Sequence, residues 1–494
     1  MKEYLGNEEG LDPSDWEETR ALGHRMVDDM IDHIANIAAT PVWSPIPDMV
    51  KDSFKEVIPK SPTDIAVIYE DFKKNILPYS LGNINPRFFS WVIGTGTVFG
   101  GLADMLASMM NNNVAIGDHS ALYVDQQVIN WCKEILNFPS SGSGLLVSGA
   151  SIANITALIV ARNAVSADIR KKGIHSLKGR LTAYCSTETH NCISKAIEII
   201  GLGTEGLRKI PVNDDMTINI EILKSTIKKD RDSGNIPFCI IGNAGTVNTS
   251  ATDSLDELLE IAWQEKIWLH IDGAFGALAK LTPRFKDQLK GLEKVDSVAF
   301  DLHKWMYMPY EIGCVLFKNP ELHKAAFSGE VNYLAAHERG LAGGPETISN
   351  YGMELSRGFK ALKVWMSLRE HGIEKYKRLI NQNIDQAFYL GGQITQMEDL
   401  ELLIPVTMNI VCYRYNPGGH SEEELNIMNK ELLMRMHEQA VAAPSYTILK
   451  GAYAIRVAIT NHRTRKNDLD TMLQGTLRIG KQLLQEAERM TFKI

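Results

Sequence analysis

Apolar positions change their spacing along this chain, and each change predicts a different kind of element. Near the start, Leu22, Met26, Met30, Ile34 and Ile37 recur at intervals of three and four, with charged residues between them. That spacing predicts an amphipathic helix. Ser14, ahead of Trp16-Glu17-Glu18, predicts its N-cap region, and Pro41, Pro45 and Pro47 end it. A second helical run is predicted from Thr63 to Ile76, before Pro78. Residues 1–88 offer little material for a core of their own, so this segment is expected to pack on something larger, such as a partner subunit.

From 89 to 374 short apolar runs alternate with amphipathic stretches. Leu145-Leu146-Val147, Leu181-Thr182-Ala183-Tyr184, Phe238-Cys239-Ile240-Ile241, Ile267 to Ile271 and Ser297 to Phe300 read as strands, each followed by a small or polar turn. Strand, loop and helix in repetition predict an α/β fold with a mostly parallel central sheet and helices on both faces. Ligands of such sheets bind beyond the carboxyl ends of the strands. Residues 327–352, with Gly340, Gly343, Gly344 and Pro345, read as a long surface loop, and a helix is predicted from Leu355 to His371. Residues 375–494 mix helices with two apolar runs, Met408 to Cys412 and Ala454 to Ile459, and predict a smaller α+β domain.

Composition narrows the class. With 44% hydrophobic and 23% charged residues the chain is globular, and its 494 residues call for more than one core. The formal net charge of −8 argues against a nucleic-acid partner. The N-terminus has no apolar signal core, and no apolar run approaches the roughly 18 residues a membrane span needs. Cys132, Cys185, Cys192, Cys239, Cys314 and Cys412 are scattered without a CxxC pair. Free thiols in a reducing cytoplasm are expected, with no metal site.

The chemistry gathers at predicted strand ends. Ser148-Gly149-Ala150-Ser151 is a small-residue turn opening a helix, which exposes backbone N–H groups at the positive end of the helix dipole and suits a phosphate. Asp272 closes an apolar strand, where a carboxylate can keep a heterocycle protonated or merely cap the next helix. Lys304 follows His303 at another strand end. A lone lysine is ordinarily a surface residue, but a partly desolvated amine can condense with an aldehyde. His190 precedes a helix start, as a cap, a core residue or a ring over another ring. An anion cradle, a carboxylate, an amine and a flat ring together match what pyridoxal 5′-phosphate (PLP) requires.

The sequence resembles the group II PLP-dependent amino-acid decarboxylases from Asn85-Pro86-Arg87-Phe88-Phe89 to about Leu469. The most specific motifs are Leu269-His270-Ile271-Asp272-Gly273-Ala274-Phe275, Asp296-Ser297 and Asp301-Leu302-His303-Lys304-Trp305. The resemblance implies a PLP-dependent transferase-like fold of type I: an N-terminal helical segment (1–88), a large PLP-binding domain (89–374) and a small C-terminal α+β domain (375–494). It implies that Lys304 holds PLP as a Schiff base, that Asp272 pairs with the pyridinium nitrogen, and that His190 and Ala274 cover the two ring faces. Ala150, Ser151, Asp301 and His303 are placed around the phosphate and Thr246 near the ring hydroxyl. Asp301 departs from the Asn of many relatives. An aspartate facing phosphate must be paired or turned away.

The same resemblance implies loss of CO₂ from an L-amino acid to give the amine, and a homodimer. The proton that reaches Cα is assigned to Tyr351, His190 or Tyr333, since the register puts Ile348 where many relatives carry the loop tyrosine. Trp91, Val92, His119 and Arg456 are the expected substrate contacts, beside Phe89, with Arg87 a conceivable clamp. The apolar neighbours favour an aromatic side chain. The rival readings are an aromatic aldehyde synthase, a decarboxylase of non-aromatic amino acids, an aminotransferase or other lyase of this fold, and a non-catalytic scaffold.

Overall fold

The computed structural model describes residues 10–329, 339–344 and 346–491. Among them are twelve strands in two sheets. In chain order these are β1 (Phe88–Phe89), β2 (Ser143–Val147), β3 (Leu181–Ser186), β4 (Leu207–Ile210), β5 (Ile236–Asn243), β6 (Trp268–Asp272), β7 (Ser297–Asp301), β8 (Gly313–Phe317), β9 (Leu400–Leu402), β10 (Ile410–Tyr415), β11 (Ala443–Leu449) and β12 (Ala452–Ala458).

The larger sheet has seven strands in the order β2-β8-β7-β6-β5-β3-β4. β7, β6, β5, β3 and β4 pair in parallel, and β8 runs antiparallel to both neighbours. Helices Asn191–Ile199, Ile220–Asp232 and Leu255–Glu265 supply the crossovers that parallel pairing requires. Every residue of β3, β7 and β8 is buried, as expected for strands covered on both faces. Because β2 shares the direction of β7, the carboxyl ends of β2, β3, β5, β6 and β7 open on one edge. Helix Ala150–Ala164 follows β2 and packs on β2, β8, β7, β6 and β5. The predicted turn at Ser148 to Ser151 therefore stands over the same edge.

The smaller sheet has the order β1-β11-β12-β10-β9. β1 pairs in parallel with β11, Phe88 opposite Ala443, so the early Asn-Pro-Arg-Phe-Phe run closes a sheet made otherwise of late residues. Helix Glu422–Glu438, opened by a reciprocal Ser421/Glu424 capping box, packs on it with helix Lys466–Thr491. Helix Ala361–Ile394 connects the two sheets, broken at Gly372, whose φ is 65°.

That helix begins six residues later than the predicted Leu355. The backbone of Arg357 is engaged elsewhere: its carbonyl accepts from Val114 N–H and its N–H donates to Asn113 Oδ1. The first helix spans Trp16–Ala35 as patterned, but its cap is Asp15, whose carboxylate accepts from Glu17 and Glu18 N–H at 2.9 and 3.0 Å. None of its residues is buried. Among the described residues no helix is long and apolar enough to cross a membrane, and all six cysteines are free.

Candidate active site

A cavity of about 520 Å³ opens at the carboxyl edge of the larger sheet. Lys304, Asp272, His190, Ala150, Ser151, Thr246, Ala274, Asp301, His303, Trp91 and Val92 all line it. Residues predicted from separate stretches of sequence thus meet in one place. His119, Tyr351 and Arg456 do not line it. Tyr333 lies outside the described residues.

Lys304 sits in the single helical turn Leu302–Trp305 that directly follows β7. Its Nζ lies 2.8 Å from Asp301 Oδ2. Burial, the largest single influence, pulls the amine down, but Asp301 together with Asp272 and Tyr310 leaves it raised. The pairing answers how an aspartate is accommodated beside an anion cradle: one oxygen holds the amine. The other, Oδ1, is buried without a partner. A Cβ built on Gly149 would lie 3.5 Å from it and 3.2 Å from His303 Cε1, so the glycine lets the turn that opens the helix approach both side chains.

Asp272, at the end of β6, accepts from Asn154 Nδ2 at 3.1 Å and from Ala274 N–H at 3.2 Å. Burial raises its proton affinity, and the Lys304 charge opposes that shift. His190 caps helix Asn191–Ile199, its Nδ1 accepting from Cys192 N–H. That bond leaves the ring hydrogen on Nε2. Burial lowers its pKa, so the ring stays neutral near pH 7. Cys192 also borders the cavity, but burial beside Asp272 pushes its thiol up to about 12, and it is no nucleophile.

His303 is fixed by Ile312, whose carbonyl lies 2.9 Å from Nδ1, and its Nε2 stands 3.7 Å from Asp301. The motif residue Asp296 ties β6 to β7 by accepting from Leu269 N–H at 2.8 Å. Thr246 is buried and shares a hydrogen bond of 3.1 Å with Thr249. Arg456 is buried and spends its guanidinium on the carbonyls of Trp91, Val247 and Asn248 and on Ser445 Oγ. It shapes the cavity wall through Trp91 and Val247. Tyr351 donates to Glu346 at 2.7 Å. His119 Nε2 bonds the Ile116 carbonyl at 3.1 Å.

Two groups near the site, Asn154 and Asn243, lie outside the quoted motifs, and a third, His270, lies inside one but was given no role. Asn243, at the end of β5, lines the cavity and donates to Thr189 and Asp253. Asn154 is the one amide among the buried residues of its helix, and His270 alternates with Leu269 and Ile271 onto the face of Asp272. Both signals were present as polar residues at core positions.

A buried amine, an anion cradle, a neutral ring and a carboxylate around one cavity fit PLP. The model of the pyridoxal-dependent decarboxylase conserved domain matches residues 47–416. The chain belongs to the pyridoxal-dependent decarboxylase family. It is 34% identical over 468 residues to an aromatic-L-amino-acid decarboxylase of Bacillus atrophaeus, covering 94% of this chain and 95% of that one. It is 27% identical over 470 residues to a phenylacetaldehyde synthase of a Rosa hybrid cultivar, covering 91% and 90%. Oryza sativa TDC, solved with PLP and tryptamine, superimposes with a TM-score of 0.88 at 22% identity over 96% of this chain and all of that one, which shows the fold. This decarboxylase is a PLP-dependent enzyme of fold type I acting on an amino acid.

Proposed function

We propose that this enzyme removes CO₂ from aromatic L-amino acids to give the corresponding amines. One observation carries the choice of substrate: among the described residues lining the cavity, Lys304 is the only lysine or arginine. Arg456 is committed to backbone carbonyls and Arg87 is not in the lining. An acidic side chain would find no free cation, whereas Trp91, Val92, Ile152 and Phe275 offer apolar surface. The names of similar proteins support the same class.

When bound, PLP supplies the electron sink for the bond to the departing carboxylate. Lys304 would hold the cofactor through its amine. Asp272, held by Asn154 and Ala274, would pair with the ring nitrogen and as a carboxylate keep it protonated. Ala150 and Ser151 give helix N–H groups to the phosphate, with His303 and the Asp301 carboxyl beside them. His190 would offer the cofactor a neutral flat ring and Ala274 a small apolar surface.

A homodimer is supported by the first helix, which buries none of its residues within one chain, and by exposed Trp16, Met49, Phe54 and Met109. A cytoplasmic setting is supported by the six unpaired cysteines. The test is a panel of L-amino acids with mass detection of amine and aldehyde, and CO₂ and peroxide measured in the same assay. Aromatic amine with CO₂ and no peroxide is expected. Preference for glutamate would overturn the substrate reading. Equal yields of CO₂ and peroxide, with aldehyde, would replace it with oxidative chemistry in which O₂ is reduced to peroxide.

A further inference from the structure

Behind the cavity a file of side chains runs away from Asp272. Asn154 Nδ2 lies 3.1 Å from Asp272 Oδ2. Asn154 Oδ1 lies 2.7 Å from His270 Nε2. His270 Nδ1 lies 2.8 Å from Ser297 Oγ, which in turn lies 2.8 Å from Trp268 Nε1. Asn154, His270 and Ser297 are wholly buried. They come from three elements: the helix after β2, the strand β6 and the strand β7.

The charge on Asp272 fixes every hydrogen in this file. A carboxylate only accepts, so Asn154 must present its amide N–H₂ to it and its carbonyl to His270. His270 must therefore carry its hydrogen on Nε2, which leaves Nδ1 an acceptor. Ser297 must donate to that nitrogen, and its oxygen is then free to accept from Trp268, which can only donate. No member has a second consistent orientation while Asp272 is ionised. Burial lowers His270 to about 3, so it stays neutral and cannot break the order by taking a second hydrogen.

We propose that Asn154, His270 and Ser297 are positioning residues whose single-file hydrogen bonds hold Asp272 as an oriented, charged acceptor for the ring nitrogen of PLP. The other groups facing Asp272 are Lys304, His190, Asp301 and Cys192. The Cys192 thiol reaches the same oxygen as Asn154 but at 4.0 Å, against 3.1 Å for the amide, and it accepts the second Asn154 N–H at 3.3 Å, so Asn154 makes the closer bond to Asp272 and keeps the same orientation. The proposal rests on reading Asp272 as the partner of that nitrogen.

The test compares binding of PLP with binding of its 1-deaza analogue, in which the ring nitrogen is replaced by carbon. Asn154→Asp turns the donor at Asp272 into an acceptor, and Ser297→Ala cuts the file two residues further back. Affinities are measured by equilibrium dialysis against the full-length apoenzyme. The wild type should prefer PLP over the analogue. Asn154→Asp should lose roughly ten-fold of that preference, the scale of one hydrogen bond to a charged group. Ser297→Ala should lose a smaller part, and both variants should hold the analogue as the wild type does. If either variant weakens both ligands equally, or keeps the full preference, the positioning role is overturned. If Asn154→Asp fails to fold, Ser297→Ala decides alone. A wild type with no preference would instead overturn the reading of Asp272 itself, and the file with it.

Discussion

The Lys304 ammonium lies 2.8 Å from the Asp301 carboxylate, three residues earlier in the chain. This ion pair is the main force opposing burial of the amine, and with Asp272 and Tyr310 it leaves the proton affinity raised before any cofactor arrives. Only a neutral amine attacks an aldehyde. Asp301→Asn should therefore lower the Lys304 pKa and speed capture of PLP by the apoenzyme at neutral pH, with the difference from the wild type vanishing at high pH where both amines are free. Stopped-flow absorbance over a pH series measures this. A rate that falls at every pH on substitution would show that the carboxylate assists capture instead.

Lys304→Ala removes the amine without a steric demand. The variant should fold, bind PLP only reversibly, lack the visible absorbance of the covalently held cofactor, and lose turnover. Retained turnover with a dialysed sample would refute the assignment.

The cavity was legible because its chemistry sits in short local strings. Asp272 and Lys304 each end an apolar run, and a parallel sheet brings such ends together whatever the loops do. His190 and Ser151 followed from the same rule. Arg456 was legible as a site residue but not in its role, because a guanidinium in a strand can face a ligand or a carbonyl equally well, and the carbonyls of Trp91 and Val247 come from distant segments. Pairing of β1 with β11 joins residues more than 350 apart in sequence, as in the bond from Ser90 Oγ to the Ala443 carbonyl, and no local pattern encodes it. Helix Leu355–His371 was misplaced at its start for a similar reason: Arg357 is drawn out of helical bonding by Asn113 and Val114.

Gly94 shows how closely another segment approaches the lysine turn. A Cβ built there would lie 1.5 Å from the His303 carbonyl oxygen and 3.1 Å from that of Lys304. Gly94→Ala must push the turn aside. A loss of roughly 1–3 kcal/mol of stability is expected from such overpacking. PLP affinity should fall as well, since His303 and Lys304 move together. Urea unfolding of the apoenzyme and a PLP titration measure the two effects, and unchanged values for both would show that the backbone yields freely.

Three histidines are held as neutral rings: buried His270 and His323, lowered to about 3, and half-buried His462, lowered to about 4. Burial is the largest cause in each case. Each is protonated more readily when unfolded. Its stabilising contribution is complete above about 6.5 and is lost as pH falls from there toward the folded value. Stability of the apoenzyme should decline between about pH 6.5 and 4 with a slope of up to roughly 1.4 kcal/mol per pH unit for each histidine. His323→Gln should flatten that slope by about one such increment. An unchanged slope would mean that His323 is hydrated or charged in the folded protein.

Tyr351 is the loop hydroxyl that the described residues place most clearly. It donates to Glu346, which also pairs with Lys324, while the His323 Nε2–H donates to the Tyr351 backbone carbonyl at 2.8 Å. These bonds make Tyr351 an anchor for the end of the loop, with its hydroxyl turned from the cavity. Tyr351→Phe should therefore lower stability by about 1 kcal/mol, the value of one hydrogen bond, and leave the ratio of amine to aldehyde unchanged. His190→Gln removes a ring that lines the cavity and should lower turnover while the fold persists. Measuring amine, aldehyde and peroxide for both variants separates the two residues. If Tyr351→Phe shifts the product toward aldehyde and peroxide, the loop must carry its hydroxyl to the substrate during turnover, and Tyr351 is then the proton donor after all.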